Sequence, residues 1–247
     1  MGRTRGKRIG GALSFFDGVT QETVAPFYPL VFMDDFVGAD LVIPAAASEE
    51  SGCHWSKKIV GAAPPTVAGV ANAANGVMAC TLTSASQKQD AGLYFGDQRN
   101  FSVEQGCIFE ARVKLSVLPT LVAEAVIGLY GDWADGPDAI SESIAFDADG
   151  SGAITCGTDD DTTDSGQIST GVTATNAQWK IYRIDMTDVT NVLFFIDGVG
   201  VATGTTFAYA ATGANAILQP YLGLYKASGA GVGTMQVDYV KIWQNRS

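Results

Sequence analysis

Residues Glu142-Ser-Ile-Ala-Phe-Asp147 place two carboxylates five positions apart in a run that otherwise reads as strand. Two carboxyl groups flanking a sugar linkage could hydrolyse it, one donating a proton and the other activating water or attacking the ring. Successive side chains of a strand point to opposite faces, so an odd separation sends this pair apart. Glu110 and Glu124 each stand without an acidic neighbour in the sequence. No catalytic residue is expected from these spacings.

The same region holds the best metal candidate. Asp147, Asp149, Ser151 and Gly152 fill the first, third, fifth and sixth positions of a calcium loop, and Ile154 suits the eighth. Thr158 stands twelfth, where a bidentate glutamate belongs, and no helical pattern flanks the loop. A hairpin turn needs the same Asp and Gly content, so turn and calcium site are alternative readings. The nearby Asp159, Asp160, Asp161 and Asp164 read as a solvated loop able to complete such a site. Calcium is the one cofactor the spacing admits.

Trp55 and Trp133 are the candidate sugar platforms, with a buried or rim indole as the alternative for each. The sole histidine, His54, adjoins Cys53, and neighbours on extended chain point apart, so no Cys-His or Ser-His-Asp nucleophile can be assembled. Cys53, Cys80, Cys107 and Cys156 form no Cys-x-x-Cys pair. They read as buried thiols, with disulfides as the other option.

The elements that must position these groups are strands. In 190–203, Val192, Phe194 and Ile196 share one face, Leu193 and Phe195 the other, and Asp197-Gly198 supplies a tight turn before Val199 and Val201. A strand apolar on both faces predicts a place in the interior of a sheet. Residues 109–117 alternate apolar with polar, 122–131 follow as a neighbour, a hairpin is expected over residues 141–157, and 235–244 close the chain as a strand. About a dozen such segments, with no amphipathic helix, predict a two-sheet antiparallel sandwich over 31–247.

Residues 1–30 read differently, as an extended basic N-terminal arm. Arg3, Arg5, Lys7 and Arg8 precede the first acid, Asp17, while Pro26 and Pro29 interrupt regular pairing. With Phe15, Phe16, Phe27 and Tyr28 as apolar anchors, these cations are the candidate partner-binding residues. The chain of 247 residues is 47% hydrophobic with net charge −11, so the body beyond the arm is more acidic still and repels nucleic acid. Neither a membrane-spanning segment nor a signal peptide is expected.

Four short stretches carry a family resemblance: MDDF at 33–36, CIFEARVKLS at 107–116, FFIDG at 194–198 and VDYVKIWQ at 237–244. Together they resemble the concanavalin A-like lectin/glucanase (laminarinase-like) jelly roll, a fold also found in bacteriophage virion accessory proteins. The resemblance implies an all-β jelly-roll sandwich. Its hydrolase branch would bring Glu-x-Asp-x-x-Glu on one strand, a pattern this chain lacks. The expectation is therefore a non-enzymatic virion protein, a phage capsid decoration or head-associated subunit assembled in the host cytoplasm. The arm would join it to capsid or other virion subunits, with homo-oligomers in the assembly. The alternatives are a glycan-binding module of a tail or spike, with host polysaccharide as partner, and a divergent glycoside hydrolase.

Overall fold

The computed structural model describes residues 4–9, 12–17, 19, 23–25, 30–37 and 54–246. Within them β1 (Thr4–Ile9), β2 (Ala12–Asp17) and β3 (Thr23–Ala25) pair as a three-stranded antiparallel sheet of their own. The segment read as an extended arm thus contains a paired meander. The next six strands are β4 (Leu30–Asp34), β5 (Ser56–Val60), β6 (Thr66–Gly69), β7 (Met78–Leu82), β8 (Gln89–Tyr94) and β9 (Phe101–Ser102). The long strands β10 (Ile108–Val117), β11 (Glu124–Tyr130), β12 (Glu142–Ala148), β13 (Ala153–Asp160), β14 (Ile168–Thr173) and β15 (Trp179–Asp185) follow. A hairpin, β16 (Leu193–Ile196) and β17 (Val199–Val201), precedes β18 (Ile217–Lys226) and β19 (Gly233–Gln244).

These form two eight-stranded antiparallel sheets. One runs β17-β16-β15-β10-β19-β7-β6, with β4 also on β19; the other runs β14-β13-β12-β11-β18-β8-β5, with β9 also on β18. This is the predicted jelly-roll sandwich.

Alternation decides which side chains meet between the sheets. Phe109, Ala111 and Val113 of β10 join Tyr182, Ile184, Phe194 and Ile196 from one sheet. Ile127, Leu129, Ile144, Phe146, Leu222 and Leu224 answer from the other. The Phe146 and Phe194 rings meet edge to face at 5.2 Å across the gap, the geometry aromatic quadrupoles favour. On β19 a bulge opposite Arg112 and Val113 lets Val237 and Val240, an odd number of residues apart, both face inward.

The Asp197-Gly198 turn forms as the sequence requires, with φ of 51° and 78°. Its hairpin lies at the sheet's edge, however, and not in the interior. Leu193 is 43% exposed, so the second apolar face of β16 is not covered by a neighbouring layer. Apolar residues on both faces of a short hairpin strand do not by themselves demand burial on both sides.

A second, smaller apolar cluster lies outside the sandwich, on the outer face of the β14–β5 sheet. It contains Tyr94, Val126, Tyr130, Trp133, Ile140, Ala145 and Tyr221. Gly92 and Gly223 are direct partners in the β8–β18 ladder, and the Tyr221 ring lies over both. Trp133 stacks on that ring at 3.4 Å with the planes 5° apart. The indole comes from the loop 131–141 between β11 and β12, which is thereby laid onto the sheet. Ion pairs Lys88–Asp135 at 2.8 Å and Arg99–Asp132 at 3.2 Å hold the same loop at its exposed side.

Two stability measurements check these layers. Phe194→Ala removes a ring buried between the sheets and is expected to cost about 3–5 kcal/mol in denaturant titration. A Cβ on Gly92 would sit 2.4 Å from the Tyr221 ring, so Gly92→Ala must push the tyrosine and the indole above it. The expected loss is about 1–3 kcal/mol. A wild-type midpoint for Gly92→Ala would show that the ring does not rest on the glycine.

Candidate functional site

The outer face of the β14–β5 sheet carries a cleft of about 190 Å³ between two walls. Tyr130 and the loop residues Pro137, Asp138 and Ile140 form one wall, and Asp164, Gly166 and Gln167 before β14 form the other. Ser143, Ala145 and Asp147 of β12 and Gly157 and Asp159 of β13 line it from below.

Register explains the shape. Gly128, Ala145 and Gly157 stand side by side across β11, β12 and β13, giving a transverse row with almost no side chain. The row has little room for side chains: a Cβ on Gly128 would lie 2.4 Å from the Ile144 carbonyl, and one on Gly157 would lie 2.6 Å from the carbonyl of Gly166 in the far wall. Larger rows flank it, Val126, Asp147 and Thr155 on one side and Tyr130, Ser143 and Asp159 on the other. The result is a trough running across the strands.

Asp147 is the unusual member. It is 8% exposed, and its Oδ1 is buried without a hydrogen-bond partner. Burial pushes its carboxyl up to about 7, against a hydrogen bond from Gln167 that favours the ionised form. Gln167 is held in turn by the Thr155 hydroxyl, which donates to its Oε1 at 2.8 Å. Glu124 stands one diagonal step away, because Val126 pairs directly with Asp147 and Glu124 is two residues earlier on the same face. Such diagonals separate Cβ atoms by about 7–8 Å. Burial, then the Asp147 charge, raises Glu124 to about 8.

The wall is fixed by a polar knot under Trp133. Its indole N–H donates to Asp90 Oδ2 at 2.6 Å, and the Tyr221 hydroxyl donates to the other oxygen of that carboxylate. The Trp133 backbone N–H donates to Asp97 Oδ1 at 2.9 Å. Gln219 donates to the same oxygen at 2.8 Å and to the Gly131 carbonyl at 2.9 Å. Burial raises Asp90 to about 6 despite the two donors.

Several sequence candidates separate here. Glu142 falls on the opposite parity from Asp147, beside Gly131 at the sheet edge, as the odd spacing requires. Asp149 does not join Asp147: its Oδ1 accepts from the Ser151 N–H at 2.8 Å and the Ser151 hydroxyl at 2.5 Å, closing the β12–β13 turn. Among the described residues no three His, Cys, Asp or Glu side chains gather into a metal-holding set. Trp55 is fully buried, its N–H on Asp34 Oδ2 at 2.8 Å, and offers no face to a sugar. Trp133 does not line the cleft either: it packs behind the wall residue Tyr130, with one face on Tyr221.

Cys80, Cys107 and Cys156 are free and buried. Arg3, Phe27, Tyr28 and Cys53 lie outside the described residues, while Arg5, Lys7 and Arg8 fall in β1 and Phe15 and Phe16 in β2. Sequence reasoning set Glu124 aside for want of an acidic neighbour and passed over Asp138 and Gln167. The available signal for Glu124 was an acid at the start of an otherwise apolar strand.

No protein-family model matches the chain, and no curated protein matches it in sequence. Solved structures do match its fold. A β-1,3-glucanase from Mycobacterium marinum is 18% identical with a TM-score of 0.55, over 86% of this chain and 97% of that one. A Bacillus licheniformis β-glucanase is 13% identical with a TM-score of 0.54, over 87% and 98%. A prokaryotic β-1,3-1,4-glucanase (lichenase) derived from a mouse hindgut metagenome is 12% identical with a TM-score of 0.55, over 88% and 100%. At these identities the likeness is one of fold. It overturns the expectation of a non-enzymatic phage structural protein, because the neighbours are named for glucan cleavage and give a virion role no support. Acids had been sought along one strand only, whereas register sets Asp147 and Glu124 on adjacent strands one diagonal step apart. The chain has the glucanase-type, concanavalin A-like jelly-roll fold.

Proposed function

We propose that this chain is a glycan-recognising protein of glycoside-hydrolase type, with the trough over Gly128, Ala145 and Gly157 as its saccharide site. The observation that carries the reading is Asp147. A carboxyl oxygen buried without a donor is costly to the fold, and Asp147 lines the trough, where a sugar hydroxyl that reaches its carboxyl would offset that cost. The fold's likeness to named glucanases supports the same substrate class.

The chemistry follows from the diagonal pair. Glycoside hydrolysis places a linkage between two carboxyl groups about 5–9.5 Å apart, a span a diagonal pair can supply. Glu124 lies one row outside the trough, beyond Val126, keeps its proton to the higher pH, and donates it to the departing glycosidic oxygen of a saccharide that extends past Asp147. Asp147 ionises first and takes the proton of the attacking water. Asp159 is too far for this role, lying in register with Ser143, four residues along β12 from Asp147.

Two experiments test the assignment. The first uses stability alone. Asp147 has its folded pKa, about 7, above the ordinary value of 3.8, so the folded state holds a proton that the unfolded chain has released. That contribution is complete below pH 3.8 and lost as pH rises through 7. Asp147→Asn is therefore expected to leave Tm unchanged near pH 3 and raise it at pH 8, by roughly 2–4 °C per kcal/mol recovered. An equal gain at both pH values would mean that Asp147 is not a buried ionisable group. The second measures reducing ends released from soluble β-1,3- and mixed-linkage β-glucans, with binding followed by calorimetry. Asp147→Asn and Glu124→Gln should each keep binding and lose about 10²–10⁴ in turnover. Failure of the wild type to bind any glucan would remove the reading; turnover indifferent to both substitutions would remove these two residues from it.

A further inference from the structure

The cleft has a charge pattern that the proposed glycan reading does not require. Asp138, Asp147, Asp159 and Asp164 line it, and no Lys, Arg or His does. The depression that continues from it between Ala139 and Thr162 adds Asp161, again without a cation. The basic side chains of this sheet's outer face lie elsewhere: Lys58 sits 5.4 Å above the Tyr94 ring, and Lys88 and Arg99 are paired with Asp135 and Asp132.

Acids alone would suit a solvated rim. What points to a ligand is Asp147, more than nine-tenths buried at the trough and with one carboxyl oxygen unsatisfied. A cleft of one sign with low-dielectric walls concentrates counter-charge. The occupant that best answers it brings positive charge together with several donors. An ammonium group has both, with three N–H bonds and no acceptor. A bare metal ion is the poorer match, since no three metal-ligating side chains converge among the described residues. An acidic sugar would meet repulsion from every charged group in the lining. The volume, about 190 Å³, lies below the roughly 300 Å³ at which drug-sized sites begin, and suits one sugar ring.

We infer that the cleft selects glycans bearing free amino groups, seating one protonated amine of a deacetylated amino sugar beside Asp147 and Asp138, with Asp159 in the adjoining depression facing the amine of the next ring. This inference rests on the glycan reading above and names its substrate class.

The test compares three tetrasaccharides by calorimetry on the full chain, at about pH 6.5 and low ionic strength: a β-1,4-linked glucosamine tetramer, its fully N-acetylated counterpart, and a neutral β-glucose tetramer. The glucosamine tetramer should bind at least about tenfold tighter than either. That advantage should shrink as salt shortens the screening length. It should also collapse in Asp138→Asn/Asp159→Asn, whose folding is checked by its melting curve. Equal or tighter binding of the neutral tetramer would overturn the amine preference and leave the glycan reading intact. Absence of binding by all three, and by the β-glucans above, would overturn both. A melting shift produced by calcium alone and lost in Asp147→Asn would make this a metal site and overturn the inference.

Discussion

The cleft depends on one buried carboxylate, Asp90. Its two oxygens take the Trp133 indole N–H and the Tyr221 hydroxyl, and both rings are held flat against the sheet as a consequence. A buried acid costs desolvation, visible in a carboxyl raised to about 6, and the two donors offset part of that cost. Remove the acceptor and the indole N–H loses its partner, leaving the stack on Tyr221 and the backbone bond to Asp97 to hold the loop. The loop that carries Trp133 also carries Pro137, Asp138 and Ile140, so the near wall of the trough is positioned from beneath by this contact.

The sheet contributes by omission. Gly92 and Gly223 make room for Tyr221, while Gly128, Ala145 and Gly157 leave the trough open. Glycine weakens a strand interior through backbone entropy and lost packing, so these positions are costly unless the space is used. In one row an aromatic ring uses it. In the other, the Ile144 and Gly166 carbonyls come close to Gly128 and Gly157, and Asp147 stands in the next row with an unsatisfied oxygen. A fold that spends stability at one place in this way commonly does so where it works.

Much of the architecture was legible in the sequence because it follows from local rules. The period-two alternation of 109–117, the Asp197-Gly198 turn, and the common face of Val192, Phe194 and Ile196 all depend on residues close in the chain. The hairpin's place at the sheet edge was not legible, since strand order is set by pairings far apart in sequence. The site was hidden for the same reason. Asp147 and Glu124 are more than twenty residues apart and meet only through the register that pairs Val126 with Asp147. A slip of one residue in that ladder would turn one of them away. Trp133 was visible as a tryptophan, but its role depends on Asp90, which nothing in the local sequence ties to it.

The same knot gives the molecule an optical property. Its four tryptophans occupy unlike places: Trp55 and Trp243 are fully buried, Trp179 lies under Arg112 and Lys114 on the other sheet, and Trp133 packs behind the cleft wall against Tyr130. Of these, Trp133 has its N–H on a carboxylate that changes charge near pH 6 and its face on a tyrosine ring. A negative charge gained or lost beside an indole alters its excited state, and so does any shift of the stacked phenol. The protein therefore carries an intrinsic chromophore behind the wall of its cleft, whose share of the emission responds to that wall without any label being attached.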